Sequence, residues 1–401
     1  MLENFIITAS SSIIKFLLKL DLDLFLTASQ LKHVIAFISA MVLRGYDGKV
    51  SAIAELSSHR HRTSVGHFLS KSPWKEKLVM ESLKEHVIKR IRKLSETTGN
   101  PIYVIIDDTI SEKTVPSSKA KCPTEKCGFH NSRLKGKTVY GQQMVTVMLR
   151  CGNTVLPYTI VLYDKNNMSK IKIAEEVIKN LPFPVNKGYV LCDSWYSCKA
   201  LFEASAERRY TYIGALKTNR VIYPKGHERL GIKLHAFAKT LTQEDVSLVT
   251  ARKHEYYVYT YKGKLNDLEE ATIILSCPKN DIFNEKALKA FISLDNTLDT
   301  LDILNHYVYR WPIEIFFRER KRHLGLDEYQ VRSESAINKY FVLLMLTYTY
   351  WGLEVSLDFL NFSKGIKSAR KKVQQSKVAW IHEQSKAGVP LEQIFQALKI
   401  A

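Results

Sequence analysis

Apolar residues recur at three- and four-residue steps from Leu31 to about Ser95, as in Val34, Phe37, Ile38, Met41 and Val42. This period predicts short amphipathic helices, with Gly45 as a stop. The stretch from Phe5 to Leu26 also reads as amphipathic helix, because Lys15, Lys19, Asp21 and Asp23 interrupt it. Glu3 stands where a secretory leader would be basic. After the turn formers Thr97 to Pro101 the texture changes. Ile102 to Ile106 is a continuous apolar, β-branched run, as expected of a strand buried on both faces, and it ends in Asp107-Asp108-Thr109. A polar loop to about Lys137 precedes strand-like segments at Val139 to Leu149 and Val155 to Tyr163. A helix at Ser169 to Lys179 leads into the strand Gly188 to Cys192, which again ends in an acid, Asp193. A helix at Ser197 to Ser205 and a strand at Tyr210 to Ala215 complete a mixed α/β domain.

From Lys217 to Leu298 the pattern is that of a β-rich insertion, with strands at Tyr256 to Tyr261 and Ala271 to Leu275 and a hairpin-like Lys262-Gly263-Lys264. Helix resumes at Thr300 and dominates to the end. Tyr340 to Leu353 is an uncharged run of 14 residues. That is short of the ~20 needed to cross a bilayer, so it reads as a buried core helix, and no membrane partner is expected.

At about 150 residues per domain, 401 residues predict two to three domains and exclude a disulfide miniprotein. A 45% hydrophobic and 25% charged composition excludes bulk disorder. The unusual quantity is charge: 59 Lys and Arg against 40 Asp and Glu give +19, which favours a polyanionic partner, nucleic acid first and acidic membrane second. Six cysteines spread thinly through a chain without a secretory leader predict reduced thiols and a cytoplasmic protein. His59 to Lys71 contains Arg60, Arg62 and Lys71 but no acid, and its Ser and Thr can cap helices or bond phosphate oxygens. A helical DNA-binding module and a solvated basic face fit this stretch equally. A second basic run, Lys364, Lys367, Arg370, Lys371, Lys372 and Lys377, lies near the end.

The chemistry lies in acids at the ends of hydrophobic strands, where open α/β proteins place ligands. Tyr307, Arg310, Glu314 and Lys321 extend the set: at helical spacing they fall within about one-sixth of the circumference, with Arg318 close to the same stripe. Pro312 interrupts that helix and forces a kink or a restart. Two strand-end carboxylates and one on a helix suit two hard divalent cations bridging a phosphate, the arrangement phosphoryl transfer requires. The cations around Glu314 then become phosphate contacts. Cys122, Cys127 and His130 have irregular spacing for zinc and no evident fourth ligand. Asn131 to Lys137 lacks the glycine spacing of a phosphate loop, and no nucleophile elbow is present.

Tyr307-x2-Arg310-x3-Glu314-x6-Lys321, preceded by Ile106-Asp107-Asp108-Thr109 and Leu191-Cys192-Asp193, resembles the Y-R-E-K signature group of bacterial insertion-sequence DDE transposases. The resemblance spans about Ile102 to Leu326. It implies a ribonuclease H-like mixed sheet core and cut-and-paste DNA transposition with two Mg²⁺ ions, for which Mn²⁺ substitutes. By position Asp108, Asp193 and Glu314 match the catalytic, metal-binding acids, and Tyr307, Arg310 and Lys321 match contacts to transposon-end DNA. If the register slips by one residue, Asp107 and Asp108 exchange roles, since successive strand residues face opposite ways. The implied partners are double-stranded terminal inverted repeats and target DNA, with a homodimer on DNA. The expected organisation is a helical DNA-binding region over 1–98, the core over 99–216 and 299–355, the insertion over 217–298 and a basic helical tail over 356–401. Two other readings remain: a non-catalytic DNA-binding descendant, which would need the basic stretch and the +19 charge but not the three acids, and a metal-dependent nuclease that uses the same residues and cleaves without joining.

Overall fold

The apolar run after Pro101 forms strand β1 (Ile102–Glu112). It is followed by β2 (Gly128–Ser132), β3 (Lys137–Cys151), β4 (Thr154–Tyr163), β5 (Gly188–Cys192), β6 (Thr211–Leu216), β7 (Val221–Ile222), β8 (Ile232–Lys233), β9 (Ser247–Ala251), β10 (His254–Leu265), β11 (Leu268–Pro278) and β12 (Lys289–Ser293). The computed structural model describes residues 11–43, 49–56, 62–132, 134–251, 254–266, 268–281, 284, 286–356 and 362–398. Phe5, Gly45, His59, Arg60 and His61 lie outside them. The chain divides into two compact units, one of Val87–Ile110 and Gln142–Ile315, the other of Met1–His86, Ser111–Gly141 and Phe316–Ala401.

The first unit is built on a mixed sheet. Its order β4-β3-β1-β5-β6 agrees with the expected ribonuclease H-like core, with β3 and β4 antiparallel and β1, β5 and β6 parallel. Burial dictates this pairing: residues 102–106 of β1 and all of β5 are buried, which a strand achieves when both faces are covered. The register pairs Ile102 with Gly188 and runs through Tyr103 and Tyr189 to Ile106 and Cys192. Gly188 is required where it stands, because a Cβ there would lie 2.5 Å from the Tyr210 ring.

The predicted insertion does not leave the sheet. β12 pairs antiparallel with β6, and β11 and β10 continue outward from it. The Lys262-Gly263-Lys264 hairpin is not formed: β10 runs through it with an irregularity between Gly263 and Leu265, and the reversal falls at Asn266, in the left-handed region at φ 47°. The extra strand β2, inside what reads as polar loop, pairs with the start of β3 in the second unit. Its sequence carries little apolar signal, and pairing with β3 supplies the missing hydrogen bonds.

The second unit is mainly helical. The helices Ala28–Leu43 and Arg62–Ser70 pack on Glu334–Tyr350, so the uncharged run near Tyr340 is the buried core helix expected. Phe68 stacks between His33 and Trp74, with ring centroids 4.8 and 5.2 Å away. The second basic run lies along the helix Phe362–Lys386. Among the described residues no helix is long and apolar enough to cross a membrane.

One residue of this core carries a cost. Arg320 is fully buried, its guanidinium lies 3.7 Å from the centroid of the Phe316 ring, and among the described residues none of its three nitrogens has a hydrogen-bond partner. Burial pulls its pKa down to about 9. Asp327 only partly offsets this, and a desolvated cation without a hydrogen-bonded partner is replaced at little loss by an apolar side chain of similar volume. Arg320→Met is therefore expected to raise stability, by about 1–4 kcal/mol, in chemical unfolding of the purified protein.

Candidate functional site

The β1–β5 register decides which acids meet. Ile106 pairs with Cys192 across parallel strands, so the next residues, Asp107 and Asp193, leave the sheet on the same side. Asp108 points to the opposite side. The side of the odd-numbered residues is covered by the helix Thr300–Val308: Tyr103 and Tyr189 stack on each other, His306 stacks on Tyr189 at 4.5 Å, and Tyr103 Oη lies 2.7 Å from His306 Nδ1. This ring cluster fixes the end of the helix from which the next site residues emerge.

The structure corrects the expectation of one helical stripe from Tyr307 to Lys321. Pro312 starts a second helix, Pro312–His323, and Tyr309 to Trp311 form a tight turn closed by N–H to carbonyl bonds from Arg310 to Tyr307 and from Trp311 to Val308. Arg310 thus sits in the turn. Its guanidinium donates to Asp107 Oδ2 at 2.7 Å and to Glu314 Oε1, joining a strand acid to a helix acid. Burial works against the charge on Arg310, but Tyr307, Asp107 and Glu314 outweigh it and hold the pKa above its ordinary value. Tyr307 packs against Phe291 and is itself pushed up to about 12 by burial.

Burial also pushes the Asp107 carboxyl up to about 7, against the pull of Arg310, and the charge of Asp193 adds to the rise. Asp193 Oδ1 accepts the backbone N–H of Trp195, which orients its carboxylate. Asp107, Asp193, Arg310 and Glu314 therefore form one electrostatic cluster, in which Arg310 links Asp107 to Glu314.

Asp108 stands in a different setting. Its Oδ1 accepts from Lys170 Nζ and from Tyr196 Oη, both at 2.9 Å, and its Oδ2 accepts from Gln143 Nε2. Tyr196 is fully buried. Lys170 opens the helix Lys170–Lys179, whose N-cap is the Ser169 side chain. The sequence reading missed Gln143, Lys170 and Tyr196. Only Tyr196 left a signal, its position three residues after Asp193.

The other candidates lie in the second unit. Lys321 pairs with Asp327 at 3.1 Å, and the half-exposed Arg318 contacts Glu319 at 3.3 Å. Arg62 begins an exposed turn of helix and Lys71 follows its end, both exposed, while Arg60 is outside the described residues. Among the described residues no three His, Cys, Asp or Glu side chains are grouped to hold a metal ion as they stand. The donor chemistry of Asp107, Asp193 and Glu314, all carboxylate oxygens, nonetheless suits a hard divalent cation.

A protein-family model described as transposase DDE domain matches residues 98–350. No curated protein matches the chain. Among solved structures, the chain is similar to a piggyBac transposase synaptic complex with hairpin DNA, at 12% identity and a TM-score of 0.46 over 98% of this chain and 82% of that one.

The cage around Asp108 carries a measurable expectation. Tyr196→Phe removes one donor to a charged, half-buried acceptor, which costs about 1.5–3 kcal/mol. Urea unfolding should show that loss with an unchanged m-value; no change would mean the phenol hydroxyl is not held by Asp108.

Proposed function

The chain belongs to the DDE transposase family, and on that premise we propose that it cuts double-stranded DNA at transposon ends and joins them to target DNA by cut-and-paste transposition. The acids Asp107, Asp193 and Glu314 would hold two Mg²⁺ ions, with Mn²⁺ able to substitute. The observation that carries this assignment is the β1–β5 register, which aligns Asp107 with Asp193 and leaves Asp108 to Lys170, Tyr196 and Gln143. It favours Asp107 over Asp108 as the first catalytic acid.

When bound, the ions supply the acidity that activates a water or 3′-hydroxyl and the charge that neutralises the leaving 3′-oxygen. The protein's own residues prepare the place. Asp193 is oriented by the Trp195 N–H, and Arg310 holds Asp107 and Glu314 while presenting a fork suited to phosphate oxygens. Tyr307, packed on Phe291, supports that fork and, with Arg310, Arg318 and Lys321, contacts terminal DNA. Arg60, Arg62 and Lys71 add phosphate contacts, consistent with the +19 charge. Two ends brought together imply a homodimer on DNA.

The test is incubation with flanking terminal DNA and a target plasmid in Mg²⁺, in Mn²⁺ or in EDTA. Joined products should require metal. Asp107→Asn, Asp193→Asn and Glu314→Gln should each reduce joining more than about a hundredfold, whereas Asp108→Asn, acting from outside the metal set, should cost about 10–100-fold. The reverse order for Asp107 and Asp108 would exchange their roles. Cleavage without joining would make the protein a nuclease, and binding without products a DNA-binding descendant.

A further inference from the structure

Trp195 stands two residues after Asp193, is 47% exposed, and donates its backbone N–H to Asp193 Oδ1. Two ammonium groups lie over that one indole: Lys170 Nζ is 4.7 Å from the ring centroid and Lys217 Nζ is 4.9 Å. Lys170 comes from the start of a helix, and Lys217 from the residue just past β6. The register of β6 on β5, with Gly214 opposite Cys192, brings the ends of both strands to the same edge as Asp193. Arg220, three residues after Lys217, donates to the carbonyl of Ser197 at 2.9 Å.

The charge balance of this cluster is uneven. Lys170 has Asp108 as its partner, but among the described residues no carboxylate pairs with Lys217. Two like charges on one ring repel, and the quadrupole of an indole only partly offsets the repulsion. An arrangement of that kind is completed by an anion. Because the ammonium groups occupy the ring that a nucleobase would need, the anion is better supplied by a sugar-phosphate backbone than by a stacked base.

We propose that Lys170 and Lys217, positioned on the indole of Trp195, bind the phosphodiester backbone of DNA beside the strand-end acids. The lysines make the contact, and Trp195 is a positioning residue that keeps two flexible side chains in one place. Lys170 exchanges part of its bond to Asp108 for a phosphate oxygen. The inference rests on DNA being the ligand, and it adds Lys170 and Lys217 to the residues proposed to contact DNA.

The experiment is fluorescence anisotropy of the full chain with a labelled duplex carrying the terminal repeat, in EDTA, over a salt series. Lys217→Gln should flatten the log K against log salt slope by about 0.9, the value for one lost phosphate contact. Trp195→Leu should weaken binding at every salt concentration with the slope kept, and Trp195→Phe, which retains a ring face, should restore most of the affinity. An unchanged slope in Lys217→Gln would overturn the proposal. So would a Trp195→Leu defect confined to a single-stranded probe, which marks base stacking. If the wild-type chain binds no DNA at all, the reading of DNA as ligand fails first; if wild type binds and Lys217→Gln is silent, only the lysine clamp fails.

Discussion

The site depends on the pairing of two parallel strands. β1 and β5 are each too apolar to face water, so they are driven into the middle of the sheet, and their register is held by buried residues along five paired positions. That same register carries Asp107 and Asp193 out of the sheet side by side. A slip of one residue would turn every buried side chain of β1 to the other face, so the hydrophobic core enforces the alignment of the polar ends.

Placing half-buried acids together is unfavourable, and the protein manages it in two ways. On one side Arg310 spans Asp107 and Glu314, and the raised pKa of Asp107 shows that one guanidinium does not fully offset burial and Asp193. On the other, Asp108 is fully engaged by an ammonium, a phenol and an amide. The first set shares one guanidinium between Asp107 and Glu314, whereas Asp108 has side-chain donors on both of its oxygens.

Much of this architecture was legible in the residues. The β-branched runs marked β1 and β5, the acids at their ends marked the crevice, and Thr300 is where helix resumes. The choice between Asp107 and Asp108 was not legible, because alternation within one strand says that the two differ without saying which faces Asp193. That answer needs the partner strand. Pro312 announced an interruption, but whether the helix kinks or restarts is settled by the Tyr309–Trp311 turn. Gln143 and Lys170 are single polar residues on ordinary elements, and only tertiary contact gives them a role.

The return of β12 to β6 bears on how such a chain can diversify. The excursion after Leu216 ends on the strand beside which it began, so its two ends are tied together by an antiparallel ladder from Ile213 and Ser293 to Leu216 and Ala290. Loop-closure entropy grows only slowly with length. Residues can therefore be gained or lost between β6 and β12 without disturbing the pairing that aligns Asp107 with Asp193. The fold separates a segment free to vary in length from a register that is not.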